Sequence, residues 1–435
     1  MTDAHRPRHF WLVCIGEPLP IDPGAERQLR MGVIARTLLD RGHQVTWWVS
    51  TFDHPYKRHR FASDTAVTVE PRYRLQLLHG SGYRTNVSLR RLLDHWQVAQ
   101  SFRRLAADEP TPDLIFATVP TVELAATAAS IGRARGIPVI LDVRDLWPDA
   151  LLDALPRALR PLGRPLLLPF TRQLRQAFRT AAGITAVSPS YLRWGLAHAG
   201  RPAGPADRVV PLGYPVPPEA HLDPAAASET LRALGVDPAR KLVWFIGMFG
   251  HYYDLTTVIE AARILAGRGR SELQFVLSGQ GHREAEWRAQ AEGLPNVVFS
   301  GWVTTDQITA LQRAAWAGLA AYTPAAPQSL PNKVFEYLAG GLPVLSSLGE
   351  DARELLARHD CGITYRAGDP ADLVTAIESL LDDEAHHTRM AANSRTAFDE
   401  HYSATRVYGE LAGFLEARAG DAHTADTPGR ARLPA

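Results

Sequence analysis

The chain has 435 residues, 46% of them apolar and 21% charged, with a formal net charge of +1. That length supports two hydrophobic cores, because single cores seldom grow past about 250–300 residues. The near-neutral balance carries no nucleic-acid footprint, and Cys14 and Cys361, isolated in separate apolar segments, exclude a CxxC zinc site and a disulfide framework and suit a reducing cytosol.

In chain order, a polar start, Met1 to His9, runs into Phe10 to Ile15, an apolar run too short for a signal peptide or a membrane span. The expected location is therefore cytoplasmic, soluble or peripheral at the inner face of the membrane. Strands are expected at Phe10 to Ile15, Val45 to Val49, Leu114 to Ala117, Val139 to Leu141 and Gly183 to Val187, with helices at Arg27 to Arg41, Val122 to Arg135 and Arg172 to Ala182. This alternation is the βαβ rhythm of a parallel sheet. It restarts after a Pro/Gly-rich passage, with strands at Leu242 to Ile246, Gln274 to Ser278, Val297 to Phe299, Gly318 to Ala321 and Val344 to Ser346.

The expected organisation is an N-terminal α/β domain over 1–203, a proline-stiffened linker over 204–218 and a second α/β domain over 219–395. Helices over 396–419 return to the first domain, and a disordered tail covers 420–435. Between Leu155 and Arg179, arginines alternate with leucines. Prolines at 156, 161, 165 and 169 argue against one long helix, leaving a solvated helix pair or a basic surface resting on anionic lipid.

The chemistry concentrates in Leu330-Pro331-Asn332-Lys333-Val334-Phe335-Glu336-Tyr337, a loop entering a helix. Pro331 suits a helix start, and the free N–H groups of a first turn favour an anion. Lys333 adds a cation there. Glu336, three residues on, shares its face and could accept from both hydroxyls of a vicinal diol. The plain alternative is a surface i,i+3 pair worth about 0.2–0.5 kcal/mol. Composition favours function: the chain has three lysines, Lys57, Lys241 and Lys333, against 44 arginines, so a lysine marks a place where a compact cation is hard to replace.

Glycines follow several expected strands. Gly16 precedes Glu17; Gly247 and Gly250 flank Met248 and Phe249; Gly279 and Gly281 flank Gln280; and Gly301 precedes Trp302 and Val303. Each position lies where an open parallel sheet binds ligand, though none forms a GxGxxG or P-loop fingerprint. Trp302 is either a base platform or core. Asp142, Arg144 and Asp145 emerge at a strand's carboxyl end, either to orient an acceptor hydroxyl or as an ion-pair brace. The sixteen histidines show no metal-ligand spacing, and there is no GxSxG elbow, so no metal or cofactor is expected.

These residues resemble the retaining, nucleotide-sugar-dependent glycosyltransferases of family 4, which have the GT-B fold of two Rossmann-like domains facing across a cleft. The likeness is densest from Phe245 to Val344. Arg144-Asp145-Leu146-Trp147-Pro148 and Ser188-Pro189-Ser190-Tyr191 look like the branch that transfers aminosugars such as fucosamine to bacterial surface polysaccharide. The resemblance implies a nucleotide-sugar site comprising Gly16, Gly247, Phe249, Gly250, Gly281, Trp302, Val303, Gln328, Ser329, Leu330, Pro331, Asn332, Lys333 and Glu336, with catalytic roles for Lys333, Asp145 and Glu17. It also exposes departures. The family's E-x7-E signature would put its ribose glutamate on Glu336 and its first glutamate at Gln328, while Met248 and Asp254 stand where relatives often carry arginine and lysine.

The implied function is metal-independent, retaining transfer of an N-acetylhexosamine or related hexose from a UDP-sugar. The acceptor would be a glycan, a lipid-linked sugar or a small natural product. The alternatives are a non-hydrolysing nucleotide-sugar epimerase and a non-catalytic sugar-nucleotide-binding subunit.

Overall fold

A computed structural model describes residues 6–23, 28–86, 88–153, 160–215 and 224–425. The chain divides into two compact units, one comprising Met1–Pro211 with Tyr408–Ala435, the other Leu212–Val407.

Among the described residues the first unit holds ten strands: β1 (His9–Val13), β2 (Gln44–Ser50), β3 (Phe52–Asp53), β4 (Arg58–His59), β5 (Thr65–Glu70), β6 (Tyr73–Leu78), β7 (Leu114–Val119), β8 (Val139–Val143), β9 (Gly183–Ala186) and β10 (Arg208–Val209). Eight form one sheet in the order β10-β9-β8-β7-β1-β2-β6-β5, and β3 and β4 make a separate hairpin. All pairings in the large sheet are parallel except β5 with β6. Strands β1, β7 and β8 are buried at every position, as a sheet covered on both faces requires. A fully buried ion pair ties this unit together. Arg30, in the helix Arg30–Asp40, donates twice to Asp142 at 2.9 Å and once to the Pro211 carbonyl, also at 2.9 Å, while the Thr185 hydroxyl donates to Asp142 at 2.6 Å.

The second unit is a six-stranded, wholly parallel sheet of β11 (Lys241–Ile246), β12 (Leu273–Ser278), β13 (Val297–Gly301), β14 (Ala315–Ala320), β15 (Val344–Ser346) and β16 (Gly362–Thr364), in the order β13-β12-β11-β14-β15-β16. The strand order reverses beside β11, the point at which open α/β sheets bind ligands. A large apolar cluster packs on each face. One includes Trp244, Phe335, Tyr337 and Leu338; the other includes Phe245, Phe249, Trp287 and Leu319.

Several expectations need correction. Residues 52–78 form four strands, where no strand was expected; β5 alternates only weakly between exposed and half-buried positions, so its period is faint. The segment 204–211 belongs to the first unit rather than to a linker: Arg208–Val209 is its edge strand, and Asp207 accepts from the Ile184 amide at 2.8 Å. Residues 216–218 of the expected linker lie outside the described residues. One helix, Arg160–Thr180, runs through Pro165 and Pro169. Both prolines are exposed, so water can meet the carbonyl that each leaves without its helical donor. The last helix, Ala404–Ala425, takes up residues 420–425 of the expected tail; 426–435 lie outside the described residues.

Candidate functional site

In the second unit, three glycine turns stack at the carboxyl ends of β11, β12 and β13. The Gly247 amide donates to the Ser278 carbonyl at 3.0 Å, the Phe249 amide to Gln280 at 2.8 Å and the Gly279 amide to Gly301 at 2.8 Å. Gly279, at φ +144°, has no room for a side chain, since a Cβ there would lie 1.9 Å from the Gly247 carbonyl oxygen. A Cβ on Gly247 would stand 2.9 Å from Lys333 Nζ. The bare backbone of that turn therefore lies directly against the lysine.

Lys333 sits in the first turn of the helix Asn332–Ala339, whose start, at Pro331, has no side-chain cap. The helix is seated by Tyr337, which donates to the Leu319 carbonyl at 3.0 Å and accepts from the Ile246 amide at 3.2 Å, over the space that Gly318 leaves without a side chain. This pins the lysine between β11 and β14. Lys333 is 6% exposed, and its Nζ lies 4.2, 3.9 and 4.9 Å from the ring centres of Phe245, Tyr253 and Tyr322. The ammonium has no hydrogen-bond partner, and neither does the buried Oε1 of Gln328, five residues before it. Burial pushes the lysine well below its ordinary 10.5, with Glu336 pulling it back up; the surrounding ring faces also favour the cation. An anion at the helix start would satisfy both the charge and the uncapped N–H groups.

Glu336 is 7% exposed, and one of its oxygens accepts from the Tyr214 hydroxyl at 3.1 Å. The pair Lys333 and Glu336 is thus a buried arrangement, not a surface i,i+3 bridge. Trp302 is 67% exposed, which excludes the core alternative, while Val303 beside it is buried. Leu330 is buried, Gln328, Ser329 and Pro331 are half-buried and Asn332 is exposed.

The first unit has a cavity of about 150 Å³ at the carboxyl ends of β1, β2 and β7, lined in part by Gly16, His54, Tyr83, Arg91, His95 and Thr121. His54 Nδ1 and the Tyr83 hydroxyl are 2.6 Å apart. Arg91 Nε donates to His95 Nε2 at 3.4 Å, which leaves the ring hydrogen on Nδ1, 3.9 Å from Glu123. Burial lowers His95 to about 3 and His54 to about 4, so both are neutral near pH 7, and it raises Glu123 to about 7.

The fold agrees with the comparisons. Residues 240–383 match the model described as "Glycosyl transferases group 1", and residues 24–216 match "Glycosyltransferase Family 4". Each half thus matches a glycosyltransferase domain model, and the fold is that of the GT-B proteins. Among curated relatives, the chain is 28% identical over 166 residues to O-antigen chain mannosyltransferase C of Escherichia coli, covering 38% of this chain and 43% of that one. It is 27% identical over 214 residues to alpha-D-kanosaminyltransferase of Streptomyces kanamyceticus, covering 48% and 54%. The match thus spans about half the length of these relatives. Anabaena HepE, solved in complex with UDP, superposes at a TM-score of 0.65 with 17% identity, over 94% of this chain and 100% of that one.

Within this GT-B framework some expected site residues move to other duties. Glu17 is 5% exposed; one oxygen pairs with Arg144 and the other accepts from the Met31 amide at 2.9 Å, so it braces a helix start rather than orienting a hydroxyl. Asp142 pairs with Arg30 and Arg144 with Glu17, so both are ion-pair braces and not an acceptor site. Asp145 stands apart. Its Oδ1 accepts from the Leu146 amide at 2.8 Å, and burial raises its pKa. The Phe249 side chain is wholly buried against Trp287, so only its backbone can face a ligand, and Gly281 packs closely against that backbone. Gly16 lines the first unit's cavity. Gly250 has open space on the side where a Cβ would stand. Asp254 caps the helix Leu255–Gly267 through Thr257, a local reason for its departure from the family pattern.

Sequence reading missed His54, Tyr83, Arg91, His95 and Glu123. They come from four segments with no shared spacing, and only the lysine scarcity around Lys57, which touches His54 and Tyr83, pointed to this region.

Proposed function

We propose that the protein is a retaining glycosyltransferase that moves a hexose or aminohexose from a UDP-sugar to an acceptor hydroxyl, with the donor held on the second unit and the acceptor on the first. The observation that carries this reading is Lys333, a buried ammonium without a hydrogen-bond partner, at an uncapped helix start and against the bare backbone of Gly247. Such a place is completed by a diphosphate. The ribose would then reach Glu336, and Trp302 would offer a plane to the base.

In the step itself, the glycosidic C–O bond to the diphosphate breaks, and its electron pair stays on the departing phosphate oxygen. Lys333, the first N–H groups of its helix and the glycine-turn amides stabilise that growing charge. The acceptor oxygen bonds to the anomeric carbon on the face the phosphate leaves, and its proton passes to that phosphate. No metal ion and no enzyme nucleophile take part. The names of the two curated relatives, a mannosyl and a kanosaminyl transferase, support a hexose-like donor, and the UDP in the HepE structure supports the nucleotide.

The test is a thermal-shift screen of UDP-, GDP- and TDP-sugars followed by proton NMR of the product. A ligand at 100 times its Kd stabilises by about 2.7 kcal/mol. UDP-sugar stabilisation with an acceptor-dependent product of unchanged anomeric configuration supports the reading. Conversion of the UDP-sugar without acceptor to an epimer, or UDP binding without transfer to any acceptor, overturns it.

A further inference from the structure

We propose that the cavity of the first unit selects an acceptor bearing an anionic group, a carboxylate or a phosphate, held by Arg91 with Lys57 beside it. This rests on the glycosyltransferase reading above and adds the chemical class of its acceptor.

Arg91 is the cavity's central cation. Its guanidinium lies 4.4 Å from the centre of the Trp147 ring and 5.4 Å from that of Tyr83, and its hydrogen bonds run to His95 and, at 2.7 Å, to the Asn86 carbonyl. Among the described residues, no carboxylate comes within ion-pair distance of Arg91 or of Lys57. This is unusual in a chain where most partly buried arginines have an acidic partner, among them Arg30, Arg60, Arg144 and Arg201. Asp94, Glu123 and Asp145 lie near enough for their charges to couple to that of Arg91, but none forms an ion pair with it. Asp94 accepts from the Gly82 amide at 2.8 Å, and Asp145 accepts from Leu146. Glu123 faces His95.

Lys57 supplies the second cation. Its Nζ is 4.8 Å from the Tyr83 ring centre and 2.6 Å from Asn86 Oδ1. Its backbone is left-handed, at φ 54°, an uncommon conformation for a side chain of this size and one kept by the β3–β4 hairpin. One of only three lysines is therefore held on a strained turn over the rim of the cavity, as Lys333 is held in the other site. Two cations without acidic partners, stacked on aromatic faces that also suit the apolar face of a sugar ring, form a receptor for an acidic sugar or a sugar phosphate. The fork of Arg91 fits either group, since both present paired oxygens.

The test is isothermal titration of the full chain saturated with UDP, so that the donor site is filled. The probes are methyl β-D-glucuronide, a benzyl diphosphate of N-acetylglucosamine and neutral methyl β-D-glucoside. At least one anionic probe should bind at least about tenfold more tightly than the glucoside. Arg91→Met and Lys57→Asn, the latter tolerant of the left-handed turn, should each reduce that preference without altering UDP affinity. A tighter glucuronide assigns the anion to an acidic glycan, and a tighter diphosphate to a phosphate-linked acceptor; both support the proposal. Equal binding of all three probes, or a preference that survives both substitutions in folded protein, overturns it. Failure of UDP to saturate the wild-type chain would instead overturn the donor reading, and the two failures are read separately in the same experiment.

Discussion

Replacing Lys333 by methionine should make the protein more stable and nearly inactive. Nζ is a buried polar group with no hydrogen-bond partner, enclosed by Phe245, Tyr253 and Tyr322. Leaving such a group unsatisfied costs about 1–3 kcal/mol. The ring faces return part of that cost, but methionine keeps the length of the stem and makes sulfur–aromatic contacts worth about 0.3–1.5 kcal/mol in the same box. The expected net gain is about 1–3 kcal/mol, or about 2–4 °C in Tm per kcal/mol for a unit of this size. Turnover should move the opposite way. Losing one donor to the leaving phosphate lowers the rate by about 10²–10³. Differential scanning fluorimetry without ligand and a UDP-release assay with acceptor measure the two halves. A variant that is destabilised, or that keeps more than about a tenth of the wild-type rate, would show that Lys333 is a structural residue and not the phosphate cation.

Other outcomes follow from the same geometry. Because burial lowers Lys333 below 10.5, the unfolded chain binds the extra proton between the lowered value and 10.5, so wild type should gain stability relative to Lys333→Met as pH rises through that window; chemical denaturation at stepped pH reads it. Binding a diphosphate favours the charged amine, so UDP affinity should fall over the same rise in pH, with proton uptake visible as a buffer-dependent calorimetric heat. Arg30→Met leaves Asp142 buried with only the Thr185 hydroxyl, and should cost about 3–5 kcal/mol in urea denaturation, much of it regained by adding Asp142→Leu. Glu336→Gln should weaken UDP binding at least about tenfold while leaving inorganic diphosphate unaffected; an equal loss for both ligands would remove the ribose assignment.

Those parts of the protein whose signals are local were legible in its residues. Buried strands such as Leu114–Val119 and Val344–Ser346 read as apolar runs bounded by turns, the helix Val122–Arg135 as an alanine-rich helical segment ending at a glycine, and the Lys333–Glu336 pair as a helix start with its own charge. Two α/β units followed from two such rhythms. Tertiary structure alone decided what each charge faces. Glu17 and Asp145 looked alike as carboxylates beyond strands, yet packing gave the first both Arg144 and the Met31 amide and turned the second onto the Leu146 amide. The helix through Pro165 and Pro169 was decided by their exposed placement, which no window of residues displays. Arg91, near a helix start, and His54, Tyr83 and Trp147, in loops after separate strands, are brought together across 94 positions. Their spacing encodes nothing, because contacts at that range are set by sheet order, and sheet order is a property of how the whole core closes.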